Sequence, residues 1–196
     1  RLGIRQEPLA LGEHRGRPRP VRDAGHVDAH VEPRPAHRRS RAQGTDRGNF
    51  ANLVQGKTQR VVHDAWGGYM DAGDWDRRIQ HLIVTRYLIE LAELFPDYFA
   101  GLSLNIPESS NAIPDVVDEG LFNLDCYRRM QTAEGGIRGG IESAEHPRHG
   151  EASWQESLDV MAYAPDAWST YLYTGIAAQA AHWLSTRDTN LAATYR

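Results

Sequence analysis

The chain has 196 residues, a formal charge of −4 and one cysteine, Cys126. That is one domain's worth of sequence, with no intrachain disulfide possible and no run of about 18 apolar residues that would cross a membrane. Residues 1–47 carry 11 arginines against 6 acids, whereas residues 48–196 carry 11 basic residues against 20 acids. An acidic body argues against a nucleic-acid or anionic-membrane partner and suits a neutral substrate.

Residues 1–48 are rich in Arg, Pro, His, Gly and Ala, with prolines at positions 8, 18, 20, 33 and 35 that interrupt any helical or strand period. Such a composition buries too little apolar surface to offset the entropy of ordering, so this segment is expected to be disordered. A basic nucleic-acid arm and an ordinary low-complexity linker are alternatives. The favoured reading is GC-rich coding sequence translated out of frame. From Asn49 to Asp64 the text is mixed, with Phe50, Leu53 and Val54 as packing residues and Val61-Val62 as a short extended piece.

Gly67-Gly68-Tyr69-Met70-Asp71-Ala72-Gly73-Asp74-Trp75-Asp76 follows, the most informative stretch of the chain. Glycines allow turn conformations closed to other residues and let a substrate come near the backbone. Two carboxylates, Asp71 and Asp74, sit among Trp66, Tyr69 and Trp75. Aromatic faces stack on sugar rings, and a carboxylate beside them can polarise a water aimed at an anomeric carbon. On spacing alone, a turn, an N-cap or a cation site built from Asp71, Asp74 and Asp76 explains the same residues.

The text from about Arg77 to Phe99 is apolar on more than one face, which predicts a buried helix ended by Pro96. After a loop over 100–112, a second helix is expected from about Pro114. There Asp115, Asp118 and Glu119 complement the helix dipole, and Val117, Leu121, Leu124 and Tyr127 form a core stripe. These acids read as structural. Gly135-Gly136-Ile137-Arg138-Gly139-Gly140-Ile141-Glu142 reads as a hairpin or loop and lacks the strand-to-helix context of a phosphate cradle. His146 and His149 could touch substrate, lie in a solvated loop or bind zinc, though no third ligand stands at a convincing spacing. Trp154 could stack on a sugar or seal a core. Pro165-Asp166 predicts another helix start, and the run from Trp168 to Leu184 is apolar on most faces. Gly175, Ala177, Ala178, Ala180 and Ala181 in that run would let a neighbouring helix approach.

Three stretches in this order resemble glycoside hydrolase family 9, the inverting cellulases and their relatives: GGYMDAGDW, Asn111 to Gln131 with its NAIPDVVDE and RMQ, and YAPDAWSTY at 163–171. The resemblance runs from roughly Asn49 to Leu184. It implies an all-α fold, a partial (α/α)6 toroid, so that residues 49–196 are the N-terminal part of a catalytic domain. It also implies Asp74 as the base that activates water, Asp71 as its helper in holding that water, and His146 as a sugar contact; Tyr69 and Trp154 are read as further substrate contacts from their aromatic rings. His149 stands where the family commonly has an aromatic. The family's general acid is a Glu far downstream, and Glu142, Glu145 and Glu151 match no such motif. The isolated chain is therefore expected to be an inactive, poorly folded fragment. A β-1,4-glucan or related β-glycan is the implied substrate, with no cofactor, no metal and no partner protein. Secretion or a periplasmic location follows from the family, although no signal peptide is visible. A non-catalytic, carbohydrate-binding helical scaffold is the alternative.

Overall fold

A computed structural model of the chain describes residues 21–24, 56–62, 65, 67–71, 75–145, 148, 150 and 157–196. Its strands are β1 (Val21–Ala24), β2 (Lys57–Val62), β3 (Trp75–Arg77), β4 (Gly140–Ser143) and β5 (Val160–Tyr163). Its helices are α1 (Leu82–Leu94), α2 (Pro96–Ala100), α3 (Asp115–Arg129), α4 (Ala167–Leu184) and α5 (Thr189–Thr194). The strands form one sheet in the order β2-β1-β5-β4-β3. Strand β1 runs parallel to β5, and the other pairings are antiparallel.

The described residues are thus a mixture of helix and sheet, not all-α as the resemblance implies. The physical reason is that each strand is three to six residues long and pairs far along the chain, as Trp75 does with Glu142 and Ile141 with Ala162. Local periodicity carries no trace of such pairing, and β4 is buried at all four positions, so it lacks the alternation of a half-exposed strand. Strand β1 lies within the segment where the sequence predicts no element, and it is held by partners on both sides.

The first helix also starts later than its apolar text. Trp75–Arg77 is claimed by β4, and the chain then turns through Arg78 and Ile79, whose φ values are +56° and +46°. Left-handed backbone is unusual for a β-branched residue such as Ile79. That side chain is fully buried, and the Arg78 amide donates to the Gly139 carbonyl at 2.6 Å, so packing and pairing fix the turn. Helix α1 buries Leu82, Thr85, Leu88, Ile89 and Ala92. It is not buried all round: Tyr87, Leu94 and Phe95 are exposed, as is Tyr98 of α2. Pro96 ends α1 as expected and also opens α2.

Helix α3 starts where the Pro-plus-acid signal places it. Pro114 is extended (ψ 133°) and its carbonyl accepts from the amides of Val117 and Asp118. Asp115 accepts from the Leu104 amide at 2.7 Å and the Ser109 hydroxyl at 2.6 Å, pinning the preceding loop to the helix. Helix α3 packs on α1 around Gly120, where the Thr85 hydroxyl donates to the Gly120 carbonyl at 2.9 Å. Asp166 caps α4 by accepting from the amide and hydroxyl of Ser169. Ala177, Ala180 and Ala181 face the core, whereas Gly175 faces open space. Trp168 and Tyr171 lie on the outside of α4, and the polar text after Ser185 continues into the short α5. One core joins these helices to the sheet through Ile79, Leu124, Tyr127, Met130, Ile137, Ile141 and Ala162.

Candidate functional site

The glycine-rich stretch lies against α3. Gly67 and Gly68 take φ values of +88° and +79°. A Cβ on Gly68 would stand 3.2 Å from the Cys126 sulfur and 3.3 Å from the Asn123 side-chain oxygen, so both conformation and space require glycine there. The next amide, that of Tyr69, donates to Asn123 Oδ1 at 3.1 Å. The Tyr69 hydroxyl donates to the Glu119 carbonyl at 2.8 Å and lies 3.1 Å from its carboxylate. Tyr69 is half-buried, with its hydroxyl committed to the helix.

Asp71 is exposed. Its backbone pairs with Trp75 through two hydrogen bonds, Asp71 N–H to Trp75 O at 2.7 Å and the reverse at 3.3 Å. Asp74, between these anchors, lies outside the described residues, as do Trp66, His146, His149 and Trp154. Of the catalytic and substrate-contact residues read from sequence, Tyr69 and Asp71 are the two within the described residues, one tied to α3 and the other to Trp75.

Around them is a network that the sequence did not reveal. Asp76 is fully buried and sits on β3, one residue past Trp75. Its Oδ1 accepts from the His81 amide at 3.3 Å and lies 2.8 Å from His81 Nδ1, while its Oδ2 accepts from the Tyr127 hydroxyl. The Asn123 side-chain amide donates to the His81 carbonyl at 3.1 Å and to the Thr85 hydroxyl at 3.3 Å. The hydrogen bond to Asp76 holds His81 above the ordinary imidazole value, and the charge of Asp71 adds to it. Burial pushes the Tyr127 phenol well above its usual value, so it stays a donor. Asp76 is thereby committed to His81 and Tyr127. Among the described residues no group of three acidic, His or Cys side chains could hold a metal ion.

On the opposite side of β3, Arg77 pairs with buried Glu142 of β4 at 2.7 Å, and the Tyr163 hydroxyl of β5 donates to the same carboxylate. The Arg77 guanidinium also lies 5.8 Å from the centre of the Trp75 ring. Glu142 is thus enclosed and neutralised, which explains physically why it is no candidate for a proton donor to substrate. These networks escaped the sequence because their members lie as far apart as Arg77 and Tyr163. Only the Asp-plus-aromatic text of 74–76 hinted at a site.

The described part of the motif is thus a Gly-rich turn packed on a helix, with an exposed carboxylate close in sequence to Tyr69 and Trp75. Comparison with known proteins bears on its class. No protein-family model matches the chain. It is 38% identical over 119 residues to a xyloglucan-specific endo-β-1,4-glucanase of Bacteroides ovatus, an alignment covering 59% of this chain and 17% of the relative. It is 35% identical over 91 residues to endoglucanase D of Acetivibrio thermocellus, covering 46% of this chain and 15% of that one. The structure superposes on a metagenome-derived family 9 endoglucanase with a TM-score of 0.63 at 26% identity, over 69% of this chain and 25% of the other. A family 9 structure from Bacteroides ovatus gives 0.60 at 23% identity over 69% and 25%, a likeness of fold. The chain is thus similar, over part of its length, to endoglucanases of glycoside hydrolase family 9, and it spans about a sixth of the length of these curated relatives.

Proposed function

We propose that the chain supplies the water-activating side of an inverting glycoside hydrolase that acts on β-1,4-glucan or a related β-glycan. The observation that carries this reading is the exposed Asp71 carboxylate, fixed by backbone pairing to Trp75 on the far side of Asp74, in a chain similar to two endoglucanases. Asp74 is the general base and Asp71 helps to hold the water that it activates. An inverting reaction also needs an acid on the other face of the sugar, separated from the base by room for that water. We assign no residue of this sequence to that role, and place the acid in the remainder of a domain of the relatives' length.

Tyr69 offers its ring to substrate, since its hydroxyl is already engaged by Glu119. His146, His149 and Trp154 are the further substrate contacts. The reaction needs no cofactor or metal, because proton transfer to and from water and the leaving oxygen accounts for it. Action on an extracellular polymer fits a secreted or periplasmic protein, and no described helix is long and apolar enough to cross a membrane. The enclosing toroid is part of the same proposal.

The test is Asp74→Asn in the full-length protein, assayed for reducing ends released from soluble β-1,4-glucan. Loss of release with glycan binding retained supports the base. Undiminished release sinks the assignment. If the parent protein binds glycan without releasing reducing ends, the non-catalytic binding reading takes its place.

A further inference from the structure

His81 is the group beside the carboxylate loop for which the reading above has no use. It is held at three points. Its carbonyl accepts from Asn123 of α3, and its amide and ring Nδ1 both meet Asp76 Oδ1. A carboxylate whose other oxygen already accepts from Tyr127 can only accept, so Nδ1 carries the proton. The ring is one-quarter exposed. Its edge meets the Trp75 ring, with centroids 6.2 Å apart and planes at 66°. Trp75 in turn closes the backbone pair with Asp71, and Asn123 also holds the Tyr69 amide. A single buried carboxylate therefore fixes an imidazole that touches one anchor of the loop, while the amide that holds the imidazole's backbone steadies the approach to the other.

We propose that His81, seated on Asp76 and Tyr127, is a positioning residue for the paired anchors Asp71 and Trp75, acting through the Trp75 ring. The proposal rests on the assignment of Asp74 as base. The charges around the ring favour this role. Asp76 lies beneath it and Asp71 bears on it from the loop. On α3 the facing groups are the Tyr127 hydroxyl and the neutral Asn123. On β3 the nearest cation, Arg77, is committed to Glu142. A protonated His81 holds both carboxylates in place. Once neutral it keeps its hydrogen bond to Asp76 but loses the attraction to both charges, and the Trp75 contact loosens.

A purely structural histidine would alter stability and leave the pH dependence of turnover unchanged, so the experiment reads turnover against pH. In the full-length protein, release from soluble β-1,4-glucan is measured for Asp74→Asn, His81→Gln and Asp76→Asn, and the His81 ring is followed by NMR with labelled histidine. His81→Gln is expected to lower kcat about tenfold with KM little changed, as a slight misplacement of a reacting group does. It should also erase an alkaline fall in kcat that tracks the ionisation of His81 in the parent. Asp76→Asn should move both the fall and the NMR titration to lower pH. If His81→Gln keeps the parent's kcat and pH profile while Asp74→Asn is inactive, the role of His81 is overturned and the base survives. If Asp74→Asn turns over normally, the base assignment fails and this proposal falls with it. A His81 titration unmoved by Asp76→Asn overturns the proposal by itself.

Discussion

Strand β3 separates two buried carboxylates that are satisfied in parallel ways. Asp76 is bound by a histidine and a tyrosine hydroxyl, and Glu142 by an arginine and a tyrosine hydroxyl. The difference lies in the cation. Arg77 is charged at every working pH: burial lowers its value, but its neighbours Tyr163 and Glu142 raise it on balance. His81 exchanges a proton near neutrality. One centre is thus a permanent clamp between strands, while the other, next to the carboxylate loop, changes character with acidity. A buried ion pair contributes little net stability compared with apolar packing, but breaking one is costly because it strands a charge.

The largest effect should come from Gly140, where the two centres share a backbone. Gly140 has φ +116°, and a Cβ there would overlap the Asp76 carbonyl oxygen. Gly140→Ala should separate β3 from β4 and dismantle both centres. We expect a loss of more than about 3 kcal/mol, read as a collapse of the thermal unfolding transition by circular dichroism. A normal melt would show that the two carboxylates are held independently of that pairing.

Next is Arg77→Met, which leaves Glu142 enclosed with only the Tyr163 hydroxyl. Removing one partner of a buried pair costs about 3–5 kcal/mol, and the partial exposure of Arg77 puts the expected loss at the lower end of that range. Urea unfolding at neutral pH measures it, and histidine titration plays no part in it. His81→Gln should behave differently. Because the folded protein raises the His81 value, its contribution is fully present below the unfolded value of about 6.5 and is lost as pH rises through the folded one. The gap in urea midpoint between parent and His81→Gln should therefore be widest below about pH 6.5 and shrink as pH rises through the folded His81 value. A gap that is constant with pH would erase the distinction between the two centres.

The smallest effect should be that of Tyr127→Phe, which removes one donor from Asp76 while His81 remains. The expected cost is about 1–2 kcal/mol, with the His81 titration still displaced upward. A loss as large as that of Arg77→Met would mean that the tyrosine, not the histidine, is the main partner of Asp76.

These centres also mark how far the sequence could be read. Helices α3 and α4 were legible because their signals are local: a proline, then acids over the first turn, then an apolar stripe. The Gly67–Asp76 stretch stood out in the sequence for the same reason, being contiguous. What was not legible was decided by distant partners. Trp75 and Asp76 read as loop and Arg77 as the start of a helix, yet β4 claims all three as a strand, and two residues in left-handed conformation turn the chain back into α1. The apolar surface of α1 predicted burial all round, whereas Tyr87, Leu94 and Phe95 face outward in the described structure. Asp76 read as a third loop carboxylate. Its burial depends on Tyr127, 51 positions along the chain, which no local pattern announces.

Cys126 offers a different use of the fold. Its thiol is fully buried under Gly68, and desolvation pushes it above its ordinary value, so reagents that attack thiolates find no target in the closed molecule. Labelling can proceed only when the glycine turn lifts from α3. The rate of alkylation therefore clocks the breathing of the segment that leads into Asp71, and a glycan that settles on this surface should slow that clock without touching the sulfur.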